Sequence, residues 1–308
     1  MRKPHRIIGS FSQGLEGPLL FYIGGIHGNE PAGVLALERV FLQLEELENP
    51  FRGKLIGIVG NCTALAMQQR YVDRDLNRLW SEEEIERVKG IPFEERNVEE
   101  RELGDLIRLL EGAFDTSYEP KIFVDLHTTS APRGMFSIVT DDTEIREIAE
   151  VIGAPIIFNL VDELALTTNK FFDSRGVVGL AFESGQHDDP MAVDVHEAAI
   201  WIMLQHTGCL QAADIPNFAQ YPELIRQQAD GVPTYLSVTH RHPIEPVDQF
   251  EMRPGYQNFQ PVGQGEVVAK DKAGLIEAPM GGYMLMPLAQ KQGEDGYFLV
   301  QALDEPPV

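Results

Sequence analysis

The chain has 308 residues, 43% of them hydrophobic, and a formal net charge of -23 at pH 7. This length suits one large folded core with a smaller appendage, and the negative charge argues against nucleic acid or an anionic membrane as a partner. The two cysteines, Cys62 and Cys209, give no disulfide framework, and no apolar stretch of signal or membrane-spanning length follows the basic start, so we expect a cytoplasmic protein.

The first predicted strand-to-helix connection carries a histidine and a carboxylate. Residues 18–23 form an apolar run typical of a buried strand, and apolar residues recur at helical spacing from Pro31 to Leu47. His27 and Glu30 lie between these elements, among glycines that allow a tight turn. Because chemistry in open α/β sheets collects beyond the carboxyl ends of the strands, this loop is the first candidate site.

Other predicted strands also end in polar residues. A strand over 54–60 is followed by the charged segment 70–80, which has no clean period. A strand over 122–126 delivers His127 into a loop, and one over 177–182 ends at Glu183. Further strands are predicted over 135–140 and 155–160, and helices over 81–87, 97–110, 143–151 and 190–206.

The composition changes after Gly208, where prolines interrupt short alternating runs. We therefore expect an α/β catalytic domain over residues 1–213 and a smaller β-rich domain over residues 214–308 that partly covers the site. The predicted fold is a central twisted mixed sheet of about eight strands, flanked by helices on both faces.

His27, Glu30 and His127 form a set suited to a metal. Two imidazoles and one carboxylate, with a position left for water, are the ligands of a catalytic rather than a structural zinc ion. We expect one Zn²⁺ per chain. A second carboxylate that does not bind the metal is then needed to move a proton, and Glu183 is the candidate.

Four motifs resemble the succinylglutamate desuccinylase and aspartoacylase family of zinc hydrolases, a branch of the zinc carboxypeptidase group. They are GGIHGNE (24–30), RYVDRDLNR (70–78), DLHTT (125–129) and VGLAFESG (178–185), in the family's order and spacing. The resemblance implies the zinc carboxypeptidase type of sheet, zinc ligands His27, Glu30 and His127, and Glu183 as general base. It also implies that Arg70 polarises the scissile carbonyl and that Asn77 and Arg78 bind the substrate α-carboxylate. On this resemblance Asp75 is expected behind His27, where a carboxylate fixes the imidazole tautomer.

The sequence departs from the family at the substrate's side-chain end. The arginine that binds the aspartate side chain in aspartoacylases has no counterpart in register within residues 169–175, and Lys170 or Arg175 could replace it only if the loop is shifted. Tyr297 is the best match to the family's closing tyrosine, with Tyr283 as the alternative. Whether Arg133 and His187 contact substrate is left open.

The expected activity is zinc-dependent deacylation of linear amides. The enzyme would hydrolyse a small N-acyl amino acid, of N-acetyl or N-succinyl type, to the acid and the free amino acid. One alternative is a metallocarboxypeptidase acting on short peptides, which a wide open groove would favour. Another is a non-catalytic metal-binding protein of the same fold. The acyl group, the amino acid and a possible homo-oligomer are left open.

Overall fold

The computed structural model describes residues 4–140, 142–163, 168, 171–172 and 175–307. Its strands are β1 (Ile7–Phe11), β2 (Leu15–Gly24), β3 (Arg52–Val59), β4 (Lys121–Thr129), β5 (Met135–Ile138), β6 (Ile156–Phe158), β7 (Val178–Gln186), β8 (Tyr235–Pro243), β9 (Glu251–Met252), β10 (Pro261–Val262), β11 (Val267–Asp271), β12 (Gly274–Glu277), β13 (Gly282–Leu285) and β14 (Asp295–Leu303). Its helices are α1 (Ala32–Glu45), α2 (Cys62–Met67), α3 (Glu82–Gly90), α4 (Val98–Phe114), α5 (Thr143–Ile152), α6 (Leu160–Glu163), α7 (Met191–His206) and α8 (Gln220–Gln228).

Eleven strands form one mixed sheet in the order β1-β3-β2-β4-β7-β5-β6-β8-β14-β13-β10. The neighbours β3, β2, β4 and β7 run parallel. Their carboxyl ends therefore meet at one edge of the sheet, which is where ligands bind in open α/β folds. The remaining strands form a small sheet in the order β12-β11-β9.

Helices cover both faces of the sheet, as alternate side chains of β2 illustrate. Leu20 and Tyr22 belong to a core cluster shared with α1, α5, α7 and α8. Leu19, Phe21 and Ile23 belong to a second cluster shared with α3 and α4. A strand buried on both faces reads as a continuous apolar run, which is why the segment is recognisable in the sequence. No helix in the described part of the chain is long and apolar enough to cross a membrane.

The predicted α/β fold is confirmed, with two differences in detail. β4 continues to Thr129 and β7 to Gln186. His127 and Glu183 are therefore strand residues, paired side by side in the parallel ladder, rather than residues of the following loops. The sheet also exceeds eight strands, because the C-terminal segment adds β8, β14, β13 and β10 to it.

The sheet is continuous across residue 213. β8 pairs in parallel with β6, and β14 pairs with β8 along its whole length. A core cluster joins Ile138 and Ala181 to Leu236 and Phe298. The division into domains at residues 213 and 214 remains a prediction, since the segments on either side share both a sheet and a core.

Candidate active site

The loop between β2 and α1 turns tightly against α2. Gly25 has a φ of 68°, in the left-handed region that favours glycine. A Cβ on Gly28 would overlap the carbonyl group of Ala64, so this position also requires glycine. The turn places His27 and Glu30 at the edge of the sheet where β4 ends, and both are buried.

His27, Glu30 and His127 surround a common point. Nδ1 of His27 is 2.9 Å from Oε1 of Glu30, and Nδ1 of His127 is 3.0 Å from Oε2 of the same carboxylate. Their potential ligand atoms all lie within 4.8 Å of one another. Burial raises the pKa of Glu30, but the two histidines outweigh it and hold that pKa well below its usual range.

Carboxylates also contact the outer nitrogens of both rings. Oδ1 of Asp75 lies 3.1 Å from Nε2 of His27, and Oδ2 of Asp125 lies 3.0 Å from Nε2 of His127. Such contacts fix the tautomer with the proton on Nε2, and the lone pair of each Nδ1, which faces the Glu30 carboxylate, could then bind a metal ion. The three residues therefore fit a divalent metal ion of the kind that binds imidazole and carboxylate.

Asp125 was not singled out in the sequence, although a signal for it was present. In the strand β4, residues 125 and 127 face the same side of the sheet. An Asp-x-His sequence at the end of a strand therefore places the carboxylate beside the imidazole. Asp75, in contrast, lies behind His27 as the sequence led us to expect.

The segment 70–78, which carries Arg70 and Arg78, is folded back against the metal-binding group. Arg70 is mostly buried, and its Nη2 lies 3.1 Å from Oδ2 of Asp75. Asp75 also caps a single 3₁₀ turn over 76–78, because its Oδ1 accepts from the backbone N–H of Asn77 at 2.9 Å. The side-chain oxygen of Asn77 accepts from the hydroxyl of Thr168 at 2.6 Å.

Glu99 anchors this segment, and sequence reasoning missed it. The carboxylate is fully buried at the start of α4. It accepts hydrogen bonds from the backbone N–H groups of Val72, Asp73 and Arg74 at 2.8 to 3.2 Å, and from Nδ2 of Asn61 at 3.0 Å. A buried carboxylate needs such donors, so the contacts fix both the glutamate and the segment.

Glu183 faces the same space from β7. It is 6% exposed, and its Oε2 has no hydrogen-bond partner among the described residues. Burial raises the pKa of Glu183 to about 8; Glu30 adds to the rise, while His127 and Arg70 oppose it. A carboxylate with a raised pKa and a free oxygen is suited to proton transfer near neutral pH.

The structure brings eight of the nine predicted site residues to one cavity of about 110 Å³. They are His27, Glu30, Arg70, Asp75, Asn77, Arg78, His127 and Glu183. The opposite wall comes from the C-terminal segment, through Met286, Leu288, Gln290, residues 293–295 and Phe298. That segment therefore borders the site.

Tyr297 is the exception and requires a correction. Its ring is fully buried in the core of the C-terminal segment and stacks on His242, with ring centroids 5.1 Å apart. The next residue of β14, Phe298, lines the cavity instead, because successive side chains of a strand point to opposite faces. Tyr283 does not line the cavity either; Tyr71, which follows Arg70, does.

The residues left open by the sequence lie in different places. His187 lines the cavity, with Nδ1 2.7 Å from the hydroxyl of Thr128. Arg133 lines a separate cleft with Ser184. The guanidinium of Arg175 stacks over the ring of Phe171 at 3.7 Å, outside the cavity. Lys170 lies outside the described residues.

Comparisons with known proteins identify relatives. Residues 16–202 match the model of the succinylglutamate desuccinylase/aspartoacylase catalytic domain. The chain is similar to a succinylglutamate desuccinylase of Pseudomonas paraeruginosa, with 30% identity over 121 residues, 39% of this chain and 33% of the relative. The match thus spans about a third of that relative's length. A probable aspartoacylase of Parasynechococcus marenigrum is 26% identical over 284 residues, 88% of this chain and 84% of the relative.

A solved structure has a similar fold. The crystal structure of a succinylglutamate desuccinylase/aspartoacylase from Rhodobacter sphaeroides superposes with a TM-score of 0.68. The superposition covers 94% of this chain and 87% of that chain, at 18% sequence identity. The likeness at this identity concerns the fold.

Proposed function

Because the chain belongs to the succinylglutamate desuccinylase/aspartoacylase family, whose members are deacylating hydrolases, we propose that it hydrolyses the amide bond of a small N-acyl amino acid with the help of a zinc ion. One observation carries the proposal. A buried His-Glu-His group lies in the same cavity as the buried carboxylate of Glu183, one oxygen of which has no partner in the part of the chain that the structure describes. The products are the carboxylic acid, of acetyl or succinyl type, and the free amino acid.

His27, Glu30 and His127 would hold the zinc ion. A zinc ion bound in this way supplies Lewis acidity, which polarises a carbonyl group and lowers the pKa of water. Asp75 and Asp125 support the site by fixing the orientation of the two imidazole rings.

Glu183 would carry the proton. Hydrolysis adds water to the carbonyl carbon and breaks the bond from that carbon to nitrogen, so one proton must pass from water to the leaving nitrogen. A carboxylate with a pKa raised to about 8 accepts a proton readily near neutral pH and gives it up again to an amine. Its free oxygen has no competing partner among the residues described.

Arg70 and Arg78 would each bind a different negatively charged group. Arg70 lies against Glu30 and Asp75, where it would stabilise the charge that develops on the carbonyl oxygen. Arg78 has a buried nitrogen, Nη1, without a partner in the described part of the chain. With Asn77 it would bind the substrate α-carboxylate, a group that matches the geometry of a guanidinium.

The cavity supports a small substrate over a peptide. One wall is formed by Met286, Leu288, Gln290, residues 293–295 and Phe298 of the C-terminal segment, which borders the cavity on that side. A peptidase would need a groove open beyond the bond to be cleaved. The oxygen of Glu183 that has no partner among the described residues also speaks against a non-catalytic metal-binding protein.

A hydrolysis screen tests the proposal. The zinc-loaded protein is incubated with N-acetyl, N-formyl and N-succinyl amino acids and with short peptides, and release of the free amine is measured. We expect turnover of N-acyl amino acids that is lost in Glu183→Gln. Turnover of peptides alone, or of none of these compounds, would overturn the proposal.

A further inference from the structure

One side of the active-site cavity is apolar. Ala181 precedes Glu183 by two residues on β7 and therefore faces the same side of the sheet. Ile138 of β5 pairs with Ala181, and Phe298 of β14 joins them in one core cluster. Met286 and Leu288 complete this apolar wall, which consists of Ile138, Ala181, Met286, Leu288 and Phe298.

The apolar wall lies across Glu183 from the metal-binding group. His27 and Glu30 follow β2, and His127 is on β4, whereas β7, β5 and β14 come later in the sheet order. A substrate whose amide bond sits beside Glu183 therefore has the metal-binding group on one side and the apolar wall on the other.

Acidic residues line the same cavity beside Arg78. Glu294 and Asp295 line the cavity, and Oε2 of Glu294 lies 3.8 Å from Nε of Arg78. Asp295 has its own partner, because it accepts from Nε of Arg241 at 2.6 Å. Glu294, whose side chain is 58% exposed, is therefore the exposed carboxylate next to Arg78.

The positions of Arg78, Glu294 and the apolar wall would determine how the amino-acid part of a substrate binds. If Arg78 binds the α-carboxylate, the amino-acid part of the substrate starts next to Glu294, in the cavity that Phe298 also lines. An apolar side chain gains by leaving water there. A second carboxylate would be brought against Glu294, and such contact between like charges discriminates against a ligand.

We propose that the cavity selects N-acyl amino acids with an apolar side chain and rejects those with an acidic one. This inference rests on the proposed function and extends it to a substrate class. Glu294 and the apolar wall are the specificity-determining elements: Glu294 excludes the acidic side chain, and the wall binds the apolar one.

Catalytic efficiency measured across a substrate series tests the inference. We expect kcat/KM for N-acetylleucine and N-acetylmethionine to exceed that for N-acetylaspartate by at least about tenfold, the scale of discrimination of a shaped pocket. Glu294→Gln should raise the relative kcat/KM of N-acetylaspartate severalfold. Using the ratio of two substrates cancels any effect on binding of the α-carboxylate that they share. The matched control is Glu251→Gln, a surface carboxylate outside the cavity, which should leave the ratio unchanged.

A second variant tests the apolar wall. Leu288→Asn keeps the branched shape of a half-buried side chain but makes it polar and somewhat smaller, so kcat/KM for N-acetylleucine should fall about tenfold. N-acetylglycine has no side chain and should be unaffected, which shows that the catalytic groups remain in place. Equal losses for both compounds would overturn the role assigned to the wall.

The outcomes separate this inference from the proposed function. A wild-type preference for N-acetylaspartate, or a substrate ratio that Glu294→Gln leaves unchanged, would overturn the inference while amide hydrolysis stands. Absence of turnover for every N-acyl amino acid would overturn the proposed function itself.

Discussion

At the scale of single residues, Glu183 differs from Glu30 and Asp75, the other buried carboxylates of the cavity. Glu30 contacts His27, His127 and Arg70, and Asp75 contacts His27 and Arg70. Glu183 keeps one oxygen without a partner among the described residues, and burial raises its pKa to about 8. The surroundings therefore keep Glu30 and Asp75 charged, whereas Glu183 can exchange a proton.

Glu183→Gln tests whether Glu183 transfers a proton without binding the metal. The amide has nearly the same size and cannot take up the proton, so we expect kcat to fall at least about a hundredfold. Zinc content measured by elemental analysis should stay near that of the unchanged protein. Loss of zinc in this variant would instead make Glu183 a metal ligand.

Asp125 and His127 should differ in how strongly they affect metal binding. His127→Ala removes a proposed ligand and should abolish stoichiometric zinc, as should a chelator, with loss of activity. Asp125→Asn leaves the ligand but weakens its support, so zinc affinity measured by chelator competition should fall about 10- to 100-fold. The surface variant Asp105→Asn is the control. Unchanged affinity in Asp125→Asn would mean that the carboxylate does not support the metal site.

At the scale of elements, α4 positions the arginine-bearing segment although it contributes no residue to the cavity. A capping box between Asn97 and Glu100 starts the helix. The start of the helix holds Glu99 against the backbone of Val72, Asp73 and Arg74. The positions of Arg70 and Arg78 thus depend on a helix that begins only at Val98.

Glu99→Gln should disturb both stability and catalysis. The new amide N–H₂ group faces backbone donors, so at least one hydrogen bond to a charged group is lost. We expect the free energy of unfolding to fall by about 1–3 kcal/mol in denaturant titrations. We also expect kcat/KM to fall about tenfold while zinc is retained. Glu94→Gln, at an exposed position just before α4, is the matched control. Normal stability together with normal kinetics would contradict the anchoring role.

At the scale of the whole molecule, the sheet joins the two ends of the chain. β6 has β8 as its neighbour, and the cluster around Phe298 includes residues from β5 and β7. Removing the C-terminal segment would expose the edge of β6 and this apolar face together. Exposed sheet edges of this kind lead to aggregation.

We therefore expect the intact protein to unfold in one cooperative transition. Circular dichroism and fluorescence, measured during the same unfolding experiment, should report the same transition. A fragment of residues 1–213 should aggregate or fail to fold. Glu294→Gln in the full-length chain is a suitable control, since it alters the C-terminal segment without removing it. A soluble, zinc-binding fragment 1–213 would show instead that the predicted domain boundary is a physical one.

The sequence by itself determined the fold class and the candidate metal ligands. Strands buried on both faces are continuous apolar runs, and polar residues that follow such runs meet at one edge of a parallel sheet. His27, Glu30, His127 and Glu183 all follow this rule. These residues are far apart in the sequence, but the predicted alternation of strands and helices indicates a parallel sheet that brings them together.

Only the tertiary structure decided which face of a strand borders the cavity and which distant segments line the cavity's other side. Residues 296–300 of β14 are all buried. The sequence therefore shows no alternation of apolar and polar residues from which to tell whether Tyr297 or Phe298 faces the cavity. The partners of Asp125 and Glu99, and the wall formed by residues 286–298, follow from pairing between distant segments. Such contacts depend on the sheet order and register, which local sequence patterns do not encode.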